Sequence, residues 1–148
     1  CGYTVVPRQL TREGASLNRM WLRRQTTKFN GVPYIVQRGA AAALSPEGRR
    51  QCMENISYYK ENARIMAEAL ESLCVWFTGG RNSPYLWMRC PNGARSWAFF
   101  DLLLNEANVV GTPGAGFGKN GEDFFRLTAF GNREKTAEAM ERLKKLLG

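Results

Sequence analysis

The chain has 148 residues and a formal net charge of +8, and 44% of its residues are hydrophobic. This length is typical of one packed globular domain, and no apolar run approaches the roughly 18 residues of a membrane span. The sequence has no histidine and only four cysteines, without a C-x-x-C pattern, which argues against His-dependent nucleophilic sites and against a metal site. We therefore predict a cytoplasmic protein with reduced thiols, no metal and no contact with a membrane.

The positive charge raises the possibility of a nucleic-acid or other acidic partner. The basic residues, however, form short pairs on separate segments and do not form one stripe. Examples are Arg23-Arg24, Arg49-Arg50 and Lys144-Lys145. We predict that the protein binds no nucleic acid, and a non-enzymatic basic binding module remains an alternative.

The first 44 residues read as a strand followed by helices. We expect a strand over Cys1–Val6, a helix from about Ser16 to Phe29 and a second helix over Tyr34–Leu44. Gly31 and Pro33 separate the two helices because both residues break helical structure. A lone opening strand needs partners for its backbone groups, so we expect this region to be part of something larger.

A long helix is predicted over residues 45–74. Ser45 suits the N-cap, Pro46 the first helical position and Glu47 the positive end of the helix dipole. Apolar positions follow at alternating spacings of four and three residues, which is the pattern of one helix face. So long a helix in a short chain suggests a connection between two regions.

Residues 75–148 change to a pattern of short strands. We predict strands around residues 75–77 and 84–90, a helix that Ser96 caps and that runs to about Ala107, a strand over Asp123–Ala129 and a final helix capped by Asn132. The strand "PYLWMRC" alternates, with Tyr85, Trp87 and Arg89 on one face and Leu86, Met88 and Cys90 on the other. The fold class is therefore α/β, with an α+β small domain in which helices pack on a small antiparallel or mixed sheet.

A glycine-rich loop, "GTPGAGFGKNG", precedes the strand that carries Arg126. It contains G-x-G-x-x-G, but a dinucleotide-binding loop must open a helix whose amides face the pyrophosphate. Here the sequence continues as a strand, "FFRLT". We therefore interpret the glycines as residues that allow unusual backbone angles and close approach, and not as a nucleotide site.

Arg126 is the main candidate for a binding residue. Its neighbours on the same strand face are Phe124, Thr128 and Phe130, so we expect the guanidinium to lie among aromatic groups. A desolvated arginine needs an anion, and its planar fork suits the two oxygens of a carboxylate. The residues alone leave two possibilities open, namely a substrate carboxylate or a structural ion pair with Glu122, Asp123 or a helix carboxylate.

The segment "PGAGFGKNGEDFFRLTAFGNREKTAEAMERL" resembles the C-terminal signature of the fold-type-I, pyridoxal-phosphate-dependent aminotransferases. In that family a P-G-x-x-F-G loop leads into a strand that bears an arginine. "CGYTVVP", "RRQTTKFNGVPYIVQRGAAAALSPEG" and "YYKENARIMAEAL" are similar to one branch, the LL-diaminopimelate aminotransferases. The resemblance covers essentially the whole chain in order.

The resemblance implies roles for several residues of this chain. Arg126 matches the arginine that binds the substrate α-carboxylate, and Asn30 matches an asparagine that reaches the substrate site of the other subunit in a homodimer. Gly114, Gly116 and Gly118 would shape the backbone near that site. The family uses amino-acid and 2-oxoacid substrates, here LL-diaminopimelate with 2-oxoglutarate and tetrahydrodipicolinate with glutamate, in lysine biosynthesis.

The resemblance also implies what this chain lacks. In the family, the lysine that forms a Schiff base with pyridoxal 5'-phosphate precedes the "CGYTVVP"-like strand, together with residues that hold the phosphate. We therefore expect a fragment that contributes no catalytic and no cofactor-binding residue and is inactive alone. Residues 1–44 would be a remnant of the large domain, 45–74 an interdomain helix and 75–148 the small C-terminal domain. None of the lysines is expected to substitute: Lys28, Lys60, Lys119, Lys135, Lys144 and Lys145.

The substrate is less sharply indicated than the family. Another fold-type-I aminotransferase, acting on aspartate, alanine or aromatic amino acids, is the alternative within the enzyme class. Asn30 and the motif "TKFNG" favour the diaminopimelate branch.

Overall fold

The computed structural model describes residues 1–29 and 31–148. The chain divides into two compact units, Cys1–Cys52 and Met53–Gly148. None of the helices within the described residues is long and apolar enough to cross a membrane.

The first unit contains a short hairpin and two helices. Strands β1 (Thr11–Arg12) and β2 (Ala15–Ser16) pair antiparallel around Glu13 and Gly14, which both have positive φ. Positive φ at both central residues is the requirement of the tight turn that best joins two twisted strands. Helix α1 (Leu17–Lys28) follows at once, and Ser16 Oγ caps it by accepting a hydrogen bond from the Arg19 N–H. Helix α2 spans Tyr34–Ala43.

The strand predicted over Cys1–Val6 is wrong. The structure gives residues 1–7 no regular secondary structure, and most of their side chains are exposed. An extended segment becomes a strand only where a neighbouring strand accepts its backbone hydrogen bonds. Within the described residues, β1 and β2 pair with each other and neither pairs with this segment.

Helix α3 (Pro46–Ser72) begins as predicted, with Pro46 in its first turn. Ser45 Oγ accepts a hydrogen bond from the Gly48 N–H at 3.1 Å, which satisfies one of the free donors of that turn. The boundary between the two units falls within this helix, after Cys52. Its C-terminal half supplies buried side chains to the core of the second unit, among them Ala63, Met66 and Leu70.

The second unit is built on a four-stranded antiparallel sheet. Strands β3 (Phe77–Gly79), β4 (Tyr85–Arg89), β5 (Thr112–Pro113) and β6 (Phe124–Thr128) lie in the order β3-β4-β6-β5. Helix α4 (Ser96–Leu102) continues into a π-helical turn at Leu103–Ala107, and helix α5 (Arg133–Leu147) ends the chain. Asn132 caps α5 as predicted, because its Oδ1 accepts from the Lys135 N–H at 3.0 Å.

The two faces of this sheet differ in character, as the alternation in "PYLWMRC" predicts. On β4 and β6 the buried positions are Leu86, Met88, Phe125 and Leu127, each at most 4% exposed, and they form the core with α3, α4 and α5. The intervening positions remain partly exposed and form the open face of the sheet. We use the term open face for the side chains of Tyr85, Trp87, Arg89, Thr112, Phe124, Arg126 and Thr128.

Ser96 does not cap α4, although the sequence suggested that it would. Arg95 occupies the cap position, and Ser96 is the first helical residue and is fully buried. Its Oγ instead accepts a hydrogen bond from the Ala115 N–H in the glycine loop, at 3.2 Å. A contact between residues 19 positions apart leaves no local pattern in the sequence.

Candidate functional site

Arg126 lies at the centre of the open face. Its cross-strand neighbours are Trp87 on β4 and Thr112 on β5, as the antiparallel register dictates. Adjacent residues on the same strand point to the core, so Arg126 faces away from it. The residue is half-buried, and its Nε is fully buried and has no hydrogen-bond partner among the described residues.

Two aromatic rings enclose the guanidinium of Arg126. Its central carbon lies 4.4 Å from the ring centroid of Tyr85 and 4.7 Å from that of Phe117. The sequence predicted an aromatic environment, but from Phe124 and Phe130 on the same strand and not from these two residues. The positive charge therefore rests on the faces of two π systems, which attract it.

The alternative of a structural ion pair receives no support from the geometry. Glu122 pairs with Arg95, whose Nε lies 3.2 Å from Oε1 of that carboxylate. Within residues 1–29 and 31–148, no carboxylate lies within ion-pair distance of Arg126. The polar contact of its guanidinium in that part of the chain is a long hydrogen bond from Nη2 to Thr112 Oγ1, at 3.5 Å. The guanidinium of a half-buried arginine is able to bind an anion through donors that the protein leaves unused.

The glycine loop folds as two 3₁₀ turns, Gly114–Phe117 and Lys119–Gly121, and continues into β6. The strand predicted after the loop is confirmed. Gly114 is buried, and a Cβ there would overlap the carbonyl oxygen of Gly121 and lie 2.5 Å from that of Phe124. Gly118 has φ +111°, a conformation that favours glycine.

Gly116 is less constrained than the other two glycines of the loop. A Cβ on it would meet no atom within 4 Å, and its φ is not positive. Of the three glycines predicted to shape the site, the backbone therefore requires glycine at positions 114 and 118. Asn30, the other predicted substrate-binding residue, lies outside the residues that the structure describes.

The lysines of the chain lie at its surface. Lys28, Lys60, Lys119 and Lys145 are exposed, Lys135 pairs with Glu138, and Lys144 pairs with Glu141 at 3.0 Å. A lysine that holds pyridoxal phosphate must be packed against the cofactor and shielded from water. These surroundings do not fit that task. In the described part of the chain, no group of three or more His, Cys, Asp or Glu side chains could hold a metal ion.

A cavity of about 420 Å³ lies elsewhere in the second unit. Its walls come from the middle of α3, the turn between β3 and β4, and Phe130. Arg126 is not among its lining residues, so the cavity is separate from the arginine site.

Comparison with known proteins gives one consistent family. A family profile described as aminotransferase class I and II matches residues 1–143. LL-diaminopimelate aminotransferases from Bacteroides fragilis (strain YCH46) and Lawsonia intracellularis are 58% and 53% identical to this chain over 99% of its length. The chain spans 37% of the length of these relatives.

Solved structures agree with the sequence relatives. The L,L-diaminopimelate aminotransferase from Chlamydomonas reinhardtii matches 97% of this chain with a TM-score of 0.85 and 41% identity, over 36% of its own length. An aromatic aminotransferase from Pyrococcus horikoshii OT3 matches 73% of the chain with a TM-score of 0.68 and 28% identity, over 29% of its own length. The family that the P-G-x-x-F-G loop and the strand of Arg126 indicated is confirmed, and this chain belongs to the class I and II aminotransferases.

Proposed function

We propose that the full-length protein transfers an amino group between LL-diaminopimelate and 2-oxoglutarate, with tetrahydrodipicolinate and glutamate as the products. Relatives that bear the name of this activity are 53–58% identical to the chain. The aromatic aminotransferase from Pyrococcus horikoshii is 28% identical, and this lower identity disfavours the alternative substrates. The reaction would serve lysine biosynthesis.

The contribution of this chain is recognition of the substrate carboxylate by Arg126. The observation that carries the proposal is a half-buried guanidinium, enclosed by two rings, without a carboxylate partner among the described residues. Amino-acid and 2-oxoacid substrates all carry an α-carboxylate, whose two oxygens match the planar fork of arginine. The rings and the sheet remove water from part of the guanidinium, whose Nε is fully buried, and this strengthens the attraction to an incoming anion.

The remaining parts of the site are proposals of the same kind. The family chemistry requires pyridoxal 5'-phosphate, which supplies an electron sink during amino transfer when it is bound. We propose that none of the six lysines of this chain holds it. Asn30 would reach the site of the partner subunit in a homodimer, and Gly114, Gly116 and Gly118 would shape the backbone beside Arg126. A cytoplasmic location follows from the prediction that the thiols are reduced.

The test is an assay of the full-length protein with pyridoxal phosphate, 2-oxoglutarate and a set of amino donors, in which glutamate is measured. The donors are LL-diaminopimelate, aspartate, alanine and phenylalanine. We expect kcat/KM to be highest for LL-diaminopimelate by at least about tenfold, the ratio that corresponds to about 1.4 kcal/mol of transition-state binding. A higher kcat/KM for any other donor would contradict the proposed substrate and leave the family assignment intact.

Asn30 requires a test that separates the two subunits of a dimer. The Asn30→Ala variant is mixed with a variant that carries Arg126→Lys, so that some dimers contain one intact site if Asn30 acts across the interface. Recovery of activity in the mixture, relative to either variant alone, is the expected result. Mixed dimers that recover no activity would place Asn30 in the site of its own subunit, and an Asn30→Ala variant with full activity alone would place it outside any site.

A further inference from the structure

We propose that Tyr85 and Phe117 are positioning residues, which hold the guanidinium of Arg126 in the plane where it can take both oxygens of a carboxylate. The inference rests on the proposed function of Arg126. It assigns a role to two side chains to which the sequence patterns gave none. Tyr85 comes from β4 and Phe117 from the glycine loop, so the two rings approach the guanidinium from separate elements.

The contacts of Arg126 leave few other restraints on its orientation. Nε has no hydrogen-bond partner in the described part of the chain, and the bond to Thr112 Oγ1 is at the limit of hydrogen-bond distance, at 3.5 Å. An arginine side chain gains about 2 kcal/mol of rotamer entropy when it is free to move. Two-point contact with a carboxylate requires one orientation of the plane, so an unrestrained guanidinium would bind more weakly.

The two rings supply the missing restraint without using the donors. The N–H groups of a guanidinium point outward in its own plane, and an aromatic ring attracts the cation through its face. Rings at 4.4 Å and 4.7 Å from the central carbon therefore oppose tilting, and the N–H edge remains available to a ligand. Hydrogen bonds to a carboxylate of the protein would restrain the guanidinium too, but would occupy those donors.

Phe117 is placed by the tight packing of the glycine loop. The backbones of Gly114 and Gly121 approach so closely that a Cβ on either would overlap the other residue. Ser96 Oγ fixes the same loop by accepting from the Ala115 N–H. The ring of Phe117 also meets Trp87 edge-on, with 5.6 Å between the ring centroids. The close packing that the glycines allow therefore places the ring of Phe117 against Arg126.

Tyr85 is placed by the sheet and by its aromatic neighbour. It pairs with Thr128 across β4 and β6, two pairs along from the pair of Trp87 with Arg126, and so lies on the same face of the sheet. Its backbone carbonyl accepts a hydrogen bond from the Gly80 N–H at 2.9 Å. Its ring lies edge-on to Phe130, with centroids 5.8 Å apart. The structure records no hydrogen bond of the Tyr85 hydroxyl within the described residues, so we assign the positioning role to the ring.

The experiment compares Tyr85→Leu, Phe117→Leu and Tyr85→Phe in the full-length protein with its cofactor. We expect each leucine variant to raise KM for the amino-acid and 2-oxoacid substrates roughly tenfold, since a partly desolvated cation–π contact contributes about that much. Tyr85→Phe retains the ring and should keep KM near the original value. The affinity for pyridoxal phosphate should not change in any of the three.

A double-mutant cycle separates positioning from a general structural effect. If the rings act through the guanidinium, Tyr85→Leu should raise KM much less when Arg126→Lys is already present, because the planar fork is gone. Trp97→Leu is the matched control, since Trp97 is an exposed aromatic residue on α4 whose ring contacts Phe100. We expect this variant to keep KM and kcat. Phe117 is 54% exposed, so its leucine variant should fold.

The outcomes distinguish this inference from the proposed function. An unchanged KM in both leucine variants, while Arg126→Lys raises KM, would overturn the positioning role and leave the role of Arg126 standing. Additive effects in the cycle would overturn it as well. An unchanged KM in Arg126→Lys would instead overturn the proposed function on which the inference rests.

Discussion

Ser96 Oγ accepts a hydrogen bond from the backbone N–H of Ala115, and so ties the start of α4 to the glycine loop. The backbone of Ser96 contributes a second connection, because its N–H donates to the Glu122 carbonyl at 2.7 Å. One fully buried residue thus holds both the interior of the loop, at Ala115, and the residue that directly follows it, Glu122. The loop is attached to the second unit by these contacts, and Phe117 lies beside Arg126 within it.

Ser96→Ala should lower the free energy of unfolding by about 1–2 kcal/mol, since it leaves the Ala115 N–H without its partner. Chemical denaturation of the two proteins measures the difference. Ser57→Ala is a suitable control because Ser57 is exposed and its hydroxyl donates locally to the Met53 carbonyl. A Ser96→Ala variant as stable as the control variant would show that the bond contributes nothing.

Gly114→Ala and Gly116→Ala should differ sharply although they lie two residues apart. Alanine at 114 would overlap the backbone of Gly121, so we expect a loss of about 3 kcal/mol or more in the free energy of unfolding. Alanine at 116 meets open space and should change stability by less than about 0.5 kcal/mol. Equal stabilities of the two variants would contradict the packing described for the loop.

Asn62 on α3 fixes the turn between β6 and α5. Its Nδ2 donates to the carbonyls of Ala129 at 2.9 Å and Gly131 at 2.8 Å, and the residue is fully buried. Asn62→Ala should lower the free energy of unfolding by about 2 kcal/mol, because the buried Ala129 carbonyl loses its side-chain donor. Asn55→Ala, two turns earlier on the same helix and exposed, should have almost no effect. Thermal unfolding measures the midpoint of each variant. Equal midpoints for Asn62→Ala and Asn55→Ala would contradict the role assigned to Asn62.

Cys90 should make stability depend on pH in the alkaline range. Burial, together with the nearby charges of Asp123 and Glu122, raises the pKa of this thiol from 9.0 to about 11. In the unfolded chain the thiol loses its proton near its ordinary pKa, while the folded state keeps it. Its contribution to stability is therefore fully present below pH 9 and declines as the pH rises from about 9 to 11.

The free energy of unfolding, measured at several pH values between 8 and 11, tests this dependence. The Cys90→Ala variant should show a smaller decline over that interval than the original protein. Cys74 is exposed and provides an internal comparison for the thiol itself. Iodoacetamide should modify Cys74 in the folded protein at pH 8 and spare Cys90, and rapid modification of Cys90 would show that it is accessible.

The sequence predicted the structure correctly where short-range patterns determine it. The cap at Ser45, the cap at Asn132 and the alternation along "PYLWMRC" are short-range patterns, and the structure confirms all three. The strand predicted at Cys1–Val6 is wrong because strand formation depends on a partner elsewhere in the fold. Ser96 has the residue type of a cap, but a contact 19 residues away takes its hydroxyl.

In the candidate site, too, the prediction succeeded for a local feature and failed for contacts between distant residues. Arg126 was identified from one strand, since a charged residue between apolar neighbours is visible in the sequence. The contacts of Tyr85 and Phe117 with Arg126 were not predicted, because they depend on the register of β4 with β6 and on the close approach of Gly114 and Gly121 in the loop. Neither of these is encoded within a window of a few residues.

The central claim is that Arg126 binds the carboxylate of the substrate, and steady-state kinetics of Arg126→Lys in the full-length protein test it most directly. Lysine keeps the positive charge but cannot make the two-point contact. We predict that KM for both the amino acid and the 2-oxoacid rises at least about tenfold, since one of two charge-assisted hydrogen bonds is lost, while the affinity for pyridoxal phosphate is unchanged. Unchanged KM values for both substrates would contradict the claim.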